Sequence, residues 1–330
     1  MRTPGVARAV QCLGMIVDLE TRLWHAPEEL GPELADAIRR LGAARWLAPD
    51  GSADAHAAAT AGIDAAMAIS FRSGALGAAM DASAISRRVE ASDGRLLHAL
   101  AIDPTAPGAS EEVEAARACG ACAIWIDPAL QAFHPSDTRA MRVLDRAEAN
   151  QLPVFIGWSG PQPASARMEY ARPFLLDEAA RAFPRLSIVL SGFGLPFVAE
   201  TIALMAKHDR VFTTTAGIAA RPWELLHALQ SARDAGVDAK VLFASGFPFD
   251  TPARAVEGLY AVNAMVAGTG LPHLSRAALR DIVERDSISL LGLGTPPTPR
   301  LALLERTLAA GLPAARTVAS EQQASGDLQP

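Results

Sequence analysis

Residues 96–127, "LLHALAIDPTAPGASEEVEAARACGACAIWID", decide the fold. Two near-continuous apolar runs, 96–103 and 122–127, bracket a segment of helical period at 110–120. Runs that are apolar at successive rather than alternate positions suit strands covered on both faces, as in a parallel sheet crossed by helices. Ser110 followed by Glu111 and Glu112 reads as a capped, acidic helix start, and Gly120 as its stop. The stretch is therefore one strand–helix–strand unit.

The same unit recurs along the chain. Apolar runs at 13–19, 65–70, 96–103, 122–127, 153–157, 186–192, 210–215 and 240–246 give eight candidate strands. Helix-period segments lie between them at 32–42, 110–120, 137–151, 174–183 and 222–236, with Gly236 as a further stop, and helical sequence follows from about 252 to 292. Eight such units predict an α/β fold of the (β/α)8 TIM-barrel type. A doubly wound open sheet is the runner-up, but the first strand is followed by "DLETRLW" rather than a glycine-rich phosphate turn. The expected domains are a barrel over 1–293 and a C-terminal extension over 294–330. The extension reads "TPPTPR", then a helix-like "LALLERTLAAG", then a polar end expected to be disordered from about 318.

Composition narrows the function. The 330 residues are half hydrophobic and 20% charged, and the formal net charge is −6. No basic stripe with interleaved aromatics exists, which argues against nucleic acid. No secretory leader and no apolar run near 18 residues is present, so the expectation is a soluble, cytoplasmic protein without membrane contact. Of three cysteines, Cys12, Cys119 and Cys122, the last two form a CxxC. Without a second CxxC or paired histidines it reads as two small packed residues, not a zinc knuckle or redox pair.

A TIM barrel carries its chemistry at the C-terminal ends of the strands. Those ends offer Asp18, Glu20 and Arg22; Ser70 and Arg72; Asp103; Asp127; Gly157 and Trp158; Ser191 and Gly192; Thr214 and Thr215; and Ser245, Gly246 and Asp250. None is a histidine. Only His25 and His134, of seven histidines, fall in loops on that face, and no G-x-S-x-G elbow occurs.

Several stretches in order resemble the amidohydrolase-related family, TIM-barrel metal-dependent hydrolases, lactonases and decarboxylases. They are "MIVDLETRLW" (15–24), "AATAGIDAAMAIS" (58–70), residues 99–137, "ARPFLLDEAARAFPRLSIVLSGFG" (171–194), "DAKVLFASGFPFDTP" (238–252) and "LRDIVERDSISLLGL" (279–293). The resemblance implies a His-x-His metal pair where Glu20 and Arg22 stand, and Lys-x-His-Pro where Trp125, Ile126, Asp127 and Pro128 stand. It implies further histidines at Gly157 and Gly192 and an aspartate, ligand and proton shuttle, at Gly246. Glycine offers no ligand, and Arg22 carries a permanent positive charge where a divalent cation belongs. No metal site and no cofactor are therefore expected.

Two functions compete on this reading. The first is a non-catalytic pseudo-enzyme, an accessory or ligand/partner-binding subunit that forms a homodimer or a heteromer with an active homologue. The second is a metal-free hydrolase, lactonase or decarboxylase in which Asp127, Glu20 and His134 are the catalytic candidates. Its substrate-binding candidates are Arg22, Trp158, Trp125, Ser191 and Ser245, with Arg22 clamping a small carboxylate. The plain structural alternative pairs Glu20 or Asp127 with Arg22 and treats Trp125 and Trp158 as rings filling a vacated site.

Overall fold

A computed structural model of the chain describes residues 14–45 and 49–294. Cys12 and nearly all of the extension expected beyond 293 lie outside those residues. The eight barrel strands are β1 Val17–Thr21, β2 Ala65–Ile69, β3 Leu96–Ala101, β4 Ala123–Ile126, β5 Val154–Ile156, β6 Ile188–Leu190, β7 Val211–Thr214 and β8 Val241–Leu242. They pair in sequence order, each parallel to the next. The last meets the first through Leu19 N–H to Phe243 O (3.2 Å), Gly246 N–H to Glu20 O (3.1 Å) and Arg22 N–H to Phe247 O (3.0 Å). Those bonds close the sheet into a (β/α)8 barrel and remove the edges of an open one.

The strands are short and buried on both faces. One buried cluster holds Met67, Ile69, Ala99, Ala101, Ala123, Trp125, Phe155, Val189, Phe212, Leu242 and Ala244. Most of the intervening positions, including Ile124, Ile126, Val154, Ile156, Ile188, Leu190, Val211 and Val241, join a second cluster with the surrounding helices. Alternation along β3 to β8 thus separates a barrel interior from a helix-facing layer. Alanines at 99, 101, 123 and 244 in the interior leave volume for the rings of Trp125, Phe155 and Phe212.

The helices are α1 Pro32–Arg45, α2 Ala53–Ala59, α3 Ala82–Glu90, α4 Ala109–Ala115, α5 Thr138–Ala149, α6 Asp177–Ala182, α7 Val198–Lys207, α8 Pro222–Asp234, α9 Pro252–Ala261, α10 Arg276–Val283 and α11 Ser287–Leu291. Side-chain caps fix several starts: Ser52, Asp81, Asp137, Thr251, Ser275 and Asp286 each accept from a first-turn N–H. Ser110 is not such a cap. Helix α4 begins one residue earlier, after Gly108 in a left-handed turn (φ 77°), and Ser110 sits inside its first turn. The first strand also lies later than its apolar run suggests, because Glu20 and Thr21 find partners inside the fold and extend the ladder. Among the described residues no helix is long and apolar enough to cross a membrane.

Candidate functional site

Asp18, Glu20 and Arg22 alternate along β1 and its exit, and the contacts of all three lie among the other strand ends. The Asp18 carboxylate accepts from Ser245 N–H (2.9 Å), Ser245 Oγ–H and Glu20 N–H (3.1 Å). Burial pushes its pKa up to about 7 against those hydrogen bonds. Glu20 reaches across the barrel, where its carboxylate accepts from Ser191 Oγ–H (2.6 Å), at the end of β6, and from the Thr214 hydroxyl, at the end of β7. Burial raises its pKa; the two hydroxyls and the field of Arg22 oppose that rise.

Arg22 occupies the middle of the barrel mouth and is only 4% exposed. Its guanidinium lies 4.6 Å from the Trp125 ring and 4.6 Å from the Trp158 ring. Such cation–π contacts contribute about 0.5–2 kcal/mol each, the upper end when desolvated. Nη1 donates to Ser70 O at 3.4 Å, while Nη2 is buried without a hydrogen-bond partner. Burial lowers its pKa to about 10, opposed by the fields of Glu20 and Asp127, so the group is a cation at neutral pH. Among the described residues it forms no ion pair with either carboxylate.

Aromatic rings seal this cation in. Trp125 Nε1–H donates to Gly157 O (2.8 Å), and Trp158 Nε1–H to Pro161 O (2.8 Å), so both indoles are satisfied in place. Phe71 packs on both (5.2 and 5.6 Å between centroids), Phe249 on Trp158 (5.6 Å) and Trp24 on Phe249 (6.1 Å). Beside them, a cavity lined by Asp127, Gly157, Trp158, Ser191 and Leu195 measures about 30 Å³. Small-molecule pockets run to roughly 300–1,000 Å³. This space suits a water molecule rather than an organic acid.

Asp127 is 2% exposed and turns the chain after β4. Its Oδ1 accepts from Leu130 N–H (2.8 Å), and Gln131 locks the turn from the other side, accepting from Asp127 N–H and donating to Arg72 O and Ile102 O, each at 2.8 Å. Burial carries the Asp127 pKa to about 6, opposed by the Leu130 N–H and then by Arg22.

The structure gathers six of the eight residues singled out from sequence (Glu20, Arg22, Trp125, Asp127, Trp158 and Ser191) into the barrel mouth. Ser245, after β8, holds the Asp18 carboxylate. His134 stands apart: it is exposed, its Nδ1 accepts from Ser136 N–H (3.1 Å), and its ring meets Tyr170 edge-on at 5.7 Å. Sequence reasoning gave no role to Thr214, which binds Glu20, or to Phe71, which packs on the two rings around Arg22. The polar run Thr213–Thr215 at a strand end was the signal for the former.

Metal chemistry can be tested against the donors present. At the position of the expected second histidine stands a cation, and each Glu20 oxygen already accepts a hydroxyl. Gly192 has φ 54°, and a Cβ there would sit 2.5 Å from Ala216 O; Gly246 has φ 75°, with Gly217 N and Ser159 Oγ each 3.1 Å from its Cβ position. The backbone at these two sites is shaped for glycine, in a region other residues rarely adopt. Among the described residues no group of three or more His, Cys, Asp or Glu side chains is placed to hold a metal ion. The residues do not fit the family's metal.

Comparison with known proteins agrees with the architecture. The chain superposes on an uncharacterized TIM-barrel protein from Bordetella bronchiseptica with a TM-score of 0.66 at 18% identity, covering 84% of this chain and 98% of that one. A 2,6-dihydroxybenzoate decarboxylase from Rhizobium gives 0.61 at 14% identity over 85% and 99% of the two chains. An amidohydrolase from Burkholderia multivorans with bound zinc gives 0.61 at 15% identity over 85% and 100%. At these identities the likeness shows the fold. No curated protein matches the sequence. A family model described as amidohydrolase matches residues 18–293, nearly the whole described barrel, and the chain belongs to that amidohydrolase family.

Proposed function

We propose that this barrel is a non-catalytic member of its family, an accessory subunit that binds a partner or a small carboxylate rather than turning over a substrate. One observation carries the reading: the Arg22 guanidinium, sandwiched between Trp125 and Trp158 at 4.6 Å from each, fills the place where the family resemblance puts a metal. Its charge repels a cation, the cavity against Trp158 and Asp127 is about 30 Å³, and the nearby carboxylates are engaged by hydroxyls and backbone. A homodimer or a heteromer with an active homologue is the assembly this reading favours. Support comes from Trp223, 59% exposed at the start of α8, and from the exposed Met265 and Leu271 on the segment whose Pro272 carbonyl accepts from Gln230 of α8. Tryptophan is among the side chains enriched in interface hot spots.

The test combines metal analysis of the purified protein with a turnover screen on lactones, amides and aromatic carboxylic acids. The expected result is substoichiometric metal and no turnover. Turnover abolished by Arg22→Ala or Asp127→Asn would refute the proposal in favour of a metal-free hydrolase or decarboxylase. That alternative has one specific support, the two buried carboxyls Asp18 and Asp127, whose pKa values of about 7 and 6 are those of groups poised to exchange protons.

A further inference from the structure

The opposite, N-terminal face of the barrel presents a different chemistry. A groove of about 630 Å³ opens between the residues that lead into β5, β6 and β7, the end of α5, and α11. Three arginines from separate segments line it: Arg117, Arg185 and Arg210. Each is held by the protein on one edge. Arg117 donates to Asn150 O (3.0 Å) and Gln151 O (2.9 Å), Arg185 to Glu148 Oε2 (3.0 Å), and Arg210 to the Ser187 hydroxyl. Glu148 is the one carboxylate in the lining, and the Arg185 backbone and side chain already engage both of its oxygens. Three cations against one anion leave an excess of two positive charges, in a chain whose formal net charge is −6. Arg210 Nε is buried and without a partner, so the contacts that hold this side chain leave donor capacity unused. The Ser187 and Ser289 hydroxyls and the Gln151 amide add neutral donors, and the volume is that of a small-molecule pocket.

We propose that this groove is a binding site for a compact polyanion, a small molecule bearing a phosphate group or several carboxylates. Guanidinium forks match both groups bidentately. The site lies on the face opposite the barrel mouth and does not depend on whether the mouth is catalytic. The probes are pyrophosphate, inorganic phosphate and citrate, titrated into the full chain by calorimetry and thermal shift, with sodium chloride at matched ionic strength as the control. Saturable binding of pyrophosphate or citrate beyond the chloride effect is expected, and the arm that binds distinguishes phosphate from carboxylate recognition. Arg210→Gln and Arg185→Gln should each weaken it about tenfold or more, in line with the loss of one charge-assisted pair. Arg39→Gln, on α1 beside Glu28 and Asp36, should leave it unchanged. Arg117→Gln and Arg185→Gln alter exposed side chains and keep the test decisive if Arg210→Gln fails to fold. Absence of saturable binding by all three anions, or undiminished binding in the arginine variants, overturns the proposal.

Discussion

Replacing Asp127 by asparagine should stabilise the protein at alkaline pH and leave it unchanged in acid. The carboxyl is buried, and its pKa rises from the ordinary 3.8 to about 6, chiefly through desolvation. At 1.36 kcal/mol per pH unit, that displacement corresponds to about 3 kcal/mol, as an order of magnitude. The sign follows from proton binding. The folded state holds this proton more tightly than the unfolded chain does, so stability falls as pH rises from about 4 to about 6. Above that window the full cost of the buried charge is present, and below it none is. Asparagine never ionises, its Oδ1 can keep the Leu130 N–H, and the adjoining cavity of about 30 Å³ has room for a water at its amide. Urea unfolding of both proteins from pH 4 to 8, with the slope m checked for constancy, gives the difference directly. Titration of Asp18, Glu20 and the surface carboxylates largely cancels in that difference. A variant less stable than the parent at pH 8, and equal to it at pH 4, would refute the reasoning. It would mean that Arg22 stabilises the Asp127 carboxylate by more than burial penalises it.

Arg22→Ala should cost about 3 kcal/mol, from two cation–π contacts of about 0.5–2 kcal/mol each and the cavity left between the rings; urea unfolding followed by tryptophan emission reports it. Thr214→Val leaves Glu20 with Ser191 as its one hydroxyl donor, a loss of about 1–3 kcal/mol at pH 8 that shrinks as pH falls and Glu20 protonates. Gly192→His should not restore a metal centre: a left-handed φ of 54° and a Cβ 2.5 Å from Ala216 O predict about 3 kcal/mol or more of destabilisation, with no metal gained by elemental analysis. Burial pushes the Cys122 thiol up to about 11, whereas Cys119 is exposed, so mass mapping after brief alkylation at pH 7.5 should find Cys119 modified and Cys122 spared.

The barrel was legible because its signal is local. Each strand is a short apolar run and each crossover a helix-period segment, so all eight strands fall within or against the runs read from sequence. The exceptions are instructive. At β1 the ladder continues through Glu20 and Thr21, since partners on β6, β7 and β2 satisfy those polar groups, and hydropathy alone does not carry that information. At α4 a left-handed Gly108 starts the helix, and the serine two residues on is not needed as a cap. In the site, the strand-end rule located Glu20, Arg22, Asp127, Trp158 and Ser191, but not their arrangement. The Arg22 sandwich joins three separate strand ends, so it depends on the register of the closed barrel. Arg117, Arg185 and Arg210 are far apart in the sequence; only the fold brings them to one groove.

The two faces of the barrel differ in how much of their polar chemistry is already spent. At the mouth, Asp18 is satisfied by Ser245, Glu20 by Ser191 and Thr214, and Asp127 by its own turn, while Arg22 is covered by rings. A catalytic site needs preorganised groups aimed at atoms that arrive with the substrate, and it bears the cost of leaving them unpaired beforehand. Among the described residues the mouth retains one buried orphan donor, Arg22 Nη2, and the cavity against Trp158 and Asp127 measures about 30 Å³. On the N-terminal face, excess positive charge, an orphan donor on Arg210 and a groove some twentyfold larger coincide. Unspent polar groups beside open volume are what a ligand can exploit, whichever end of the barrel carries them. If the family's chemistry has been filled in at one end, recognition is better sought at the other, and the anion titration distinguishes the two ends without any assumption about turnover.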